Sequence, residues 1–236
     1  MKNVNPEFSF AISIHDRGSE GSVFLEELLE SISYQYYKNF EVVISDSSNR
    51  LDYKKIINRY KKIININHIN SDQRFLSSNI NNALKNCKGK YIKIMFSDDL
   101  IISPFMLIYL KIIFSLSRKT WIILASYDFR GYKNQKINIL RGRKPKWNDK
   151  ILFGKNTISS PSVIAFKNFK NNFFDENVIL LMDCEFYYRM RNKFGNPYFS
   201  SRFYIANRVH INQEQNSISS EEREEEIEYL KIKYSL

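Results

Sequence analysis

Cysteine is nearly absent from this chain of 236 residues: Cys87 and Cys184 are too few and too far apart for a disulfide framework or a metal-ligand set. They predict free thiols in a reducing cytoplasm. Glycine is sparse as well, 7 in all. Neither Gly-x-x-x-x-Gly-Lys-Ser/Thr nor Gly-x-Gly-x-x-Gly occurs, so P-loop and dinucleotide sites lack their usual signature. No cluster of His and Cys suggests zinc. Long apolar runs are missing too: the longest, residues 105–116, is interrupted by Lys111 and is too short to span a bilayer. The first eight residues are polar and the apolar run 8–14 is strand length, so no signal-peptide core is expected. No Pro/Gly/Ser-rich linker divides the chain, which predicts one domain over residues 1–236.

Positive charge is plentiful, +11 net. Residues 130–155 hold Lys133, Lys136, Arg141, Arg143, Lys144, Lys146 and Lys150 against a single acid, Asp149. Such a segment attracts phosphate on nucleic acid, anionic lipid or a phosphorylated substrate; a general surface bias toward Lys explains it equally well. Acids collect in residues 221–228, which read as a solvated helix face.

Hydrophobic periodicity alternates strand and helix through the first half. Strands are expected at 8–14, 40–45, 63–69 and 91–96, and helices at 22–36, 53–60 and 75–87. Asp46-Ser-Ser-Asn49 forms a turn after the second strand, and Gly89 reads as a helix stop before the fourth. This is the βαβ pattern of a parallel sheet, so the expected class is α/β, with a mostly parallel central sheet flanked by helices. Residues that follow the strands then converge on one edge: His15-Asp16-Arg17, Asp46, and Asp98-Asp99. The second half is less regular. It predicts a helix starting near Pro104, strands at 121–126 and 162–166, a loop for the basic segment, and helices at 183–191 and 219–233.

Asp98 and Asp99 end the apolar run 91–96. Adjacent carboxylates repel, and a bound cation would explain them. A cap from Ser97, Asp98 or Asp99 on the following helix would explain them as well. With Asp46 and basic residues nearby, the set suits a nucleotide diphosphate bridged by Mg²⁺ or Mn²⁺. Asp183 is open between helix cap and catalytic carboxylate, His210 between packed residue and ligand, and Arg74 between phosphate contact and solvated loop. Arg189 reads as structural.

Taken in order, these blocks resemble the family 2 glycosyltransferases of GT-A fold, inverting enzymes that use nucleotide-activated sugars. Ile12-Ser-Ile-His-Asp-Arg-Gly18 is similar to the opening block, and residues 28–46 to the helix-plus-second-strand block. Residues 77–99, with Asn81, Gly89-Lys-Tyr91 and Ser97-Asp-Asp99, are similar to the stretch leading to the DXD motif. Ser160-Pro-Ser162, Met182-Asp-Cys-Glu-Phe-Tyr-Tyr-Arg189, and Arg208-Val-His210 with Gln215 and Ser217 look like acceptor-side blocks.

The resemblance implies a Rossmann-like GT-A domain, with residues 1–100 as nucleotide-binding half and 101–236 as acceptor-binding half ending in a helix. It implies that His15 and Asp46 contact base and ribose, with Arg17, Arg74 and Asn81 as further donor contacts. Asp98 would meet the ribose or sugar, Asp99 and His210 would hold Mn²⁺ or Mg²⁺, and Asp183 would be the general base. The expected activity is transfer of one sugar from a UDP-linked donor to a hydroxyl of a glycan or lipid-linked glycan, in surface-polysaccharide or glycolipid assembly. The expected place is the cytoplasm, with peripheral contact to an anionic membrane through the basic segment, and nucleic acid is not an expected partner. Ser13-Ile14 replaces the usual Pro-Thr, Phe96 an acid, Phe75 a Gly and Ser47-Ser48 an Asp-Gly. The processive Gln-x-x-Arg-Trp motif is absent. The rivals are a GT-A-like nucleotidyltransferase, for which residues 14–19 make a poor Gly-rich loop, a basic nucleic-acid-binding protein, and a catalytically silent family member.

Overall fold

The computed structural model describes residues 5–16, 18–73, 75–133, 135–210 and 219–236. Its first half is built as the periodicity requires. β1 (Phe8–Ile14), β2 (Phe40–Asp46) and β4 (Tyr91–Phe96) are buried along nearly their whole length, as strands covered on both faces must be. β3 (Ile66–Asn70) lies at the sheet's margin. The linking helices α1 (Gly21–Ser33), α2 (Leu51–Tyr60) and α3 (Leu76–Lys85) each bury one apolar face; in α1 it is Phe24, Leu25, Leu28, Leu29 and Ile32. Pairings β1·β2, β1·β4 and β2·β3 are all parallel. Ile14 therefore lies beside Asp46, and Ser13 beside Phe96, so the three strand ends reach one edge.

The second half turns the sheet mixed. After β5 (Leu100–Ile101) and α4 (Met106–Leu116) come β6 (Trp121–Arg130), β7 (Asn138–Arg143), β8 (Ile164–Lys167), α5 (Met182–Phe194), β9 (Tyr198–Arg208) and α6 (Ser220–Tyr234). The strand order is β3-β2-β1-β4-β8-β6-β9-β5, with β7 paired to β6. β8 is antiparallel to both β4 and β6, whereas β9 runs parallel to β6. One continuous core joins the two halves. Among the described residues no helix is long and apolar enough to cross a membrane.

Four expectations change. The basic segment is not simply a loop, because β7 forms a hairpin with β6 inside it. β9 escapes the periodicity because its buried side chains include Ser200, Asn207 and Arg208, which break the apolar alternation of a strand. Gly89 does not stop α3, which ends earlier at Lys85 with Asn86 as its cap. A β-carbon on Gly89 would come within 2.6 Å of the Phe8–Ser9 backbone, so its role is close approach to β1. Its N–H donates to Ser9 Oγ, which donates to the buried Glu41 carboxylate. Finally, Asp98 and Asp99 do not cap α4, since β5 intervenes and Phe105 is the N-cap with no side-chain bond.

Candidate active site

Asp98 and Asp99 leave β4 together but face different surroundings. Asp99 is turned into the protein: Oδ2 accepts from Ser160 Oγ (3.1 Å) and Asn207 Nδ2 (2.9 Å), and Oδ1 from the Arg208 backbone N–H (3.0 Å). Burial, and then the charge of Asp98, push the Asp99 carboxyl above its ordinary range. Asp98 lines a cavity of about 430 Å³, and its Oδ2 lies 2.9 Å from His210 Nε2. Arg208 is the frame behind both. Its guanidinium, almost wholly buried, donates to the Asp98 and Gly131 carbonyls and to Glu27, and packs between the Phe24 and Phe129 rings. Arg208 and His210, two residues apart at the end of β9, thus serve the same acidic turn from one side.

The opposite wall of the cavity comes from α5. Asp183 lies in the first turn of that helix, where the backbone dipole favours an anion, and its Oδ1 accepts from the Cys184 N–H at 2.7 Å. Leu181 is the N-cap and supplies no side-chain bond, so Asp183 is not itself the cap. Asn156 Nδ2 donates to Asp183 Oδ2 at 2.6 Å. Burial outweighs these bonds and pushes the carboxyl up to about 6. The segment leading into α5 is tied down by α6: Glu226 accepts from the N–H groups of Ile179, Leu180 and Leu181 at 2.7–3.1 Å. At least this member of the acidic stretch is a clamp rather than part of a solvated face.

The floor is the loop at residues 156–162. Asn156 Oδ1 accepts from the N–H groups of Ile158 and Ser159, and Ser159 is held at φ 123°, a strained conformation for a non-glycine residue. Tyr187 and Asn207 fix Ser159 from below. The strain presents Ser160 to Asp99 and lets Ser162 Oγ accept from the Phe96 N–H. Ser162 also offers its carbonyl to Lys93, a fully buried lysine that burial brings down to about 7.

Beside the cavity, the β1 and β2 ends form a second cluster. Asp46 is buried; burial raises its carboxyl, but His68 Nε2 at 2.9 Å and Ser48 Oγ at 2.6 Å outweigh that and hold it below the usual range. Ser47 Oγ meets His15 Nδ1 at 2.9 Å, and Asn79 Nδ2 donates to the Ile14 carbonyl at 3.0 Å.

Comparison with known proteins gives this geometry a context. A family model described as Glycosyl transferase family 2 matches residues 9–216. The chain belongs to glycosyl transferase family 2. An uncharacterised glycosyltransferase of Rickettsia typhi is 22% identical over 227 residues, covering 92% of this chain and 68% of its own length. One of Rickettsia felis is 28% identical over 171 residues, covering 67% of this chain and 26% of its own. Among solved structures, S. aureus TarS 1-349 in complex with UDP-GlcNAc superposes with TM-score 0.70 at 16% identity, covering 96% of this chain and 66% of that one. The mannosyltransferase PcManGT of Pyrobaculum calidifontis, in complex with GDP-Man and Mn²⁺, gives 0.58 at 13% identity, covering 85% of this chain and 55% of that one. The fold is GT-A. The chain spans 60% of another TarS 1-349 structure and 37% of the longer TarS structure.

Against the family 2 pattern, Asp98 and Asp183 line one cavity, His210 contacts Asp98, Asp99 is turned inward beneath it, and His15 and Asp46 sit at the ends of the neighbouring strands. Asn81 does not join them. Its side chain donates to the Phe174 carbonyl and Glu176 and accepts from the Phe174 N–H, tying α3 to the segment before α5. Positions two apart on a helix point to different faces, so the residue of α3 that reaches the edge is Asn79. Arg189 is structural as expected, paired with Glu185. Arg17, Arg74, Gln215 and Ser217 lie outside the described residues.

The divalent cation common in this family can be tested against the donor set. Among the described residues no group of three or more His, Cys, Asp or Glu side chains converges on a metal position. Asp98 and His210 do converge, one oxygen with one nitrogen at 2.9 Å. Two adjacent ligands of an octahedral cation with bonds of about 2.1 Å sit roughly that far apart, and Mg²⁺-type sites take one or two side chains plus substrate phosphates. The pair fits.

Proposed function

We propose that this chain moves one sugar, with inversion, from a nucleoside-diphosphate sugar, UDP-linked in the first instance, to a hydroxyl of a glycan or lipid-linked glycan acceptor. The observation that carries this is the lining of one cavity by Asp98 from the β4 edge and Asp183 from the α5 N-terminus. His15 and Asp46 hold the nucleoside at the adjoining edge. Asp98 and His210 are the cation pair, and Asp99 is the buttress that fixes the turn. Asp183 accepts the proton of the acceptor hydroxyl as that oxygen attacks the anomeric carbon from the face opposite the diphosphate. Asn156 orients its carboxylate through Oδ2. Asp98 and His210 would hold the divalent cation, which would supply neutralisation of the charge on the departing diphosphate. No second acid is needed, since the diphosphate departs without a proton. The basic residues of the 130–155 segment support a phosphate-rich setting, an anionic membrane face or a lipid-linked acceptor.

The test is slow transfer to water. With Mn²⁺ or Mg²⁺ and a panel of UDP- and GDP-sugars, the protein is expected to release UDP or GDP and a sugar of inverted anomeric configuration, read by proton NMR. Release of inorganic pyrophosphate from a sugar phosphate and UTP would favour the nucleotidyltransferase, and retained configuration would overturn the mechanism.

A further inference from the structure

The basic segment is not uniformly a solvated surface. Asp128 on β6 and Arg141 on β7 are register partners, and Ser126 is the partner of Arg143. Asp128, Arg141 and Arg143 therefore share one face of the hairpin. Asp128 is almost wholly buried and gathers both arginines: Arg141 Nε donates to Oδ2 at 2.6 Å, and Arg143 Nε donates to Oδ1 and Oδ2 at 3.0 and 2.8 Å. One carboxylate thus holds two guanidiniums, leaving a net positive charge. Both contacts use Nε, and among the described residues nothing accepts from the Nη groups of either side chain. All three residues line the cavity that contains Asp98 and Asp183.

A guanidinium whose position is fixed through Nε and whose Nη groups face a cavity is a preorganised receptor for an oxyanion. The donor's diphosphate is one candidate. It is already provided for at Asp98, at the end of β4, and at His210, which follows β9, whereas the arginines arrive separately on the β6–β7 hairpin, in the cavity that also holds Asp183. We infer that Arg141 and Arg143 bind an anionic group of the acceptor, a phosphate monoester or diester next to the hydroxyl that is glycosylated. This rests on the glycosyltransferase reading above and narrows its acceptor class. Asp128 is the positioning residue: it holds both guanidiniums through Nε at the cavity wall.

The experiment separates acceptor from donor. Methyl phosphate is titrated into the protein by isothermal calorimetry, with and without saturating UDP and Mg²⁺, and UDP is titrated separately. The wild type is expected to bind methyl phosphate in both conditions. Arg141→Gln/Arg143→Gln should weaken it by about tenfold or more while UDP affinity changes less than about twofold. Arg141→Gln alone, at the more exposed position, should give an intermediate loss and guards against misfolding of the double variant. Equal methyl phosphate binding by wild type and variants, or none by the wild type, overturns the inference. A parallel loss of UDP affinity also overturns it, by assigning the arginines to the donor. Failure of UDP to bind the wild type at all contradicts the donor site instead, and is read independently of the phosphate titration.

Discussion

Asp183→Asn is expected to leave a folded protein that still binds its donor but transfers sugar about 10²- to 10⁴-fold more slowly, the usual contribution of a positioned general base. The substitution is nearly isosteric, and Asn can still accept from the Cys184 N–H, so the first turn of α5 keeps its bond. What is lost is the ionisable oxygen beside Asn156. Stability separates this role from a structural one. Burial holds the Asp183 carboxyl at about 6, above its unfolded value. Ionised Asp183 therefore destabilises the fold at pH above the unfolded value of about 4, and that penalty is absent below it, where both states are protonated. Removing the charge should leave the melting temperature at pH 7–8 unchanged or raised, and the difference from wild type should vanish near pH 4. The same shift predicts that wild-type kcat/KM falls as pH drops through about 6, roughly tenfold per unit, because a protonated carboxyl accepts nothing. A lower melting temperature with normal turnover would make Asp183 part of the scaffold instead.

The second large effect distinguishes the adjacent aspartates. Asp98→Ala should abolish the stimulation of UDP binding by Mn²⁺, a loss of at least about tenfold, with a smaller loss of stability than Asp99→Ala. Asp99→Ala should do the reverse. It leaves Ser160, Asn207 and the Arg208 N–H with a missing acceptor in a buried turn, and each such group costs about 1–3 kcal/mol. His210→Ala should follow Asp98→Ala. If Asp99→Ala folds normally and alone loses the metal effect, the cation belongs to Asp99, as the family resemblance implies.

Much of the donor edge is legible in the amino-acid pattern. β1 and β4 match their expected bounds because predominantly apolar runs, broken only by Ser9, Ser13 and Lys93 and ending in polar residues, leave a parallel strand little choice. Their convergence with β2 follows from βαβ handedness, so pattern alone brings His15, Asp46 and Asp98 to one edge. The second half resists because its polar residues are inside. Asn207 and Arg208 occupy buried positions of β9 where periodicity looks for aliphatic side chains, and they are there to hold Asp99 and the Asp98 carbonyl. Asn156 and His68 carry no signal in a single sequence, since the bond by which each holds a site carboxylate goes to a partner found by folding. Arg141 and Arg143 are visible as charge, but only the β6–β7 register shows that they share Asp128. The order of the aspartates is not readable at all: motif spacing requires that one of two neighbours face the cavity, and the protein's own donors decide which.

The central claim is a cation-assisted nucleotide-sugar site at the β1–β2–β4 edge. Its most direct test is thermal unfolding of the wild-type chain with UDP, GDP and their sugars, each with and without Mn²⁺. A ligand at 100 times its dissociation constant stabilises a protein by about 2.7 kcal/mol, which raises the melting temperature by several degrees. At least one nucleotide sugar should do so, more strongly with Mn²⁺ than without, and Asp98→Ala should remove the difference. No stabilisation by any nucleotide in either condition, from a chain that unfolds cooperatively, would contradict it.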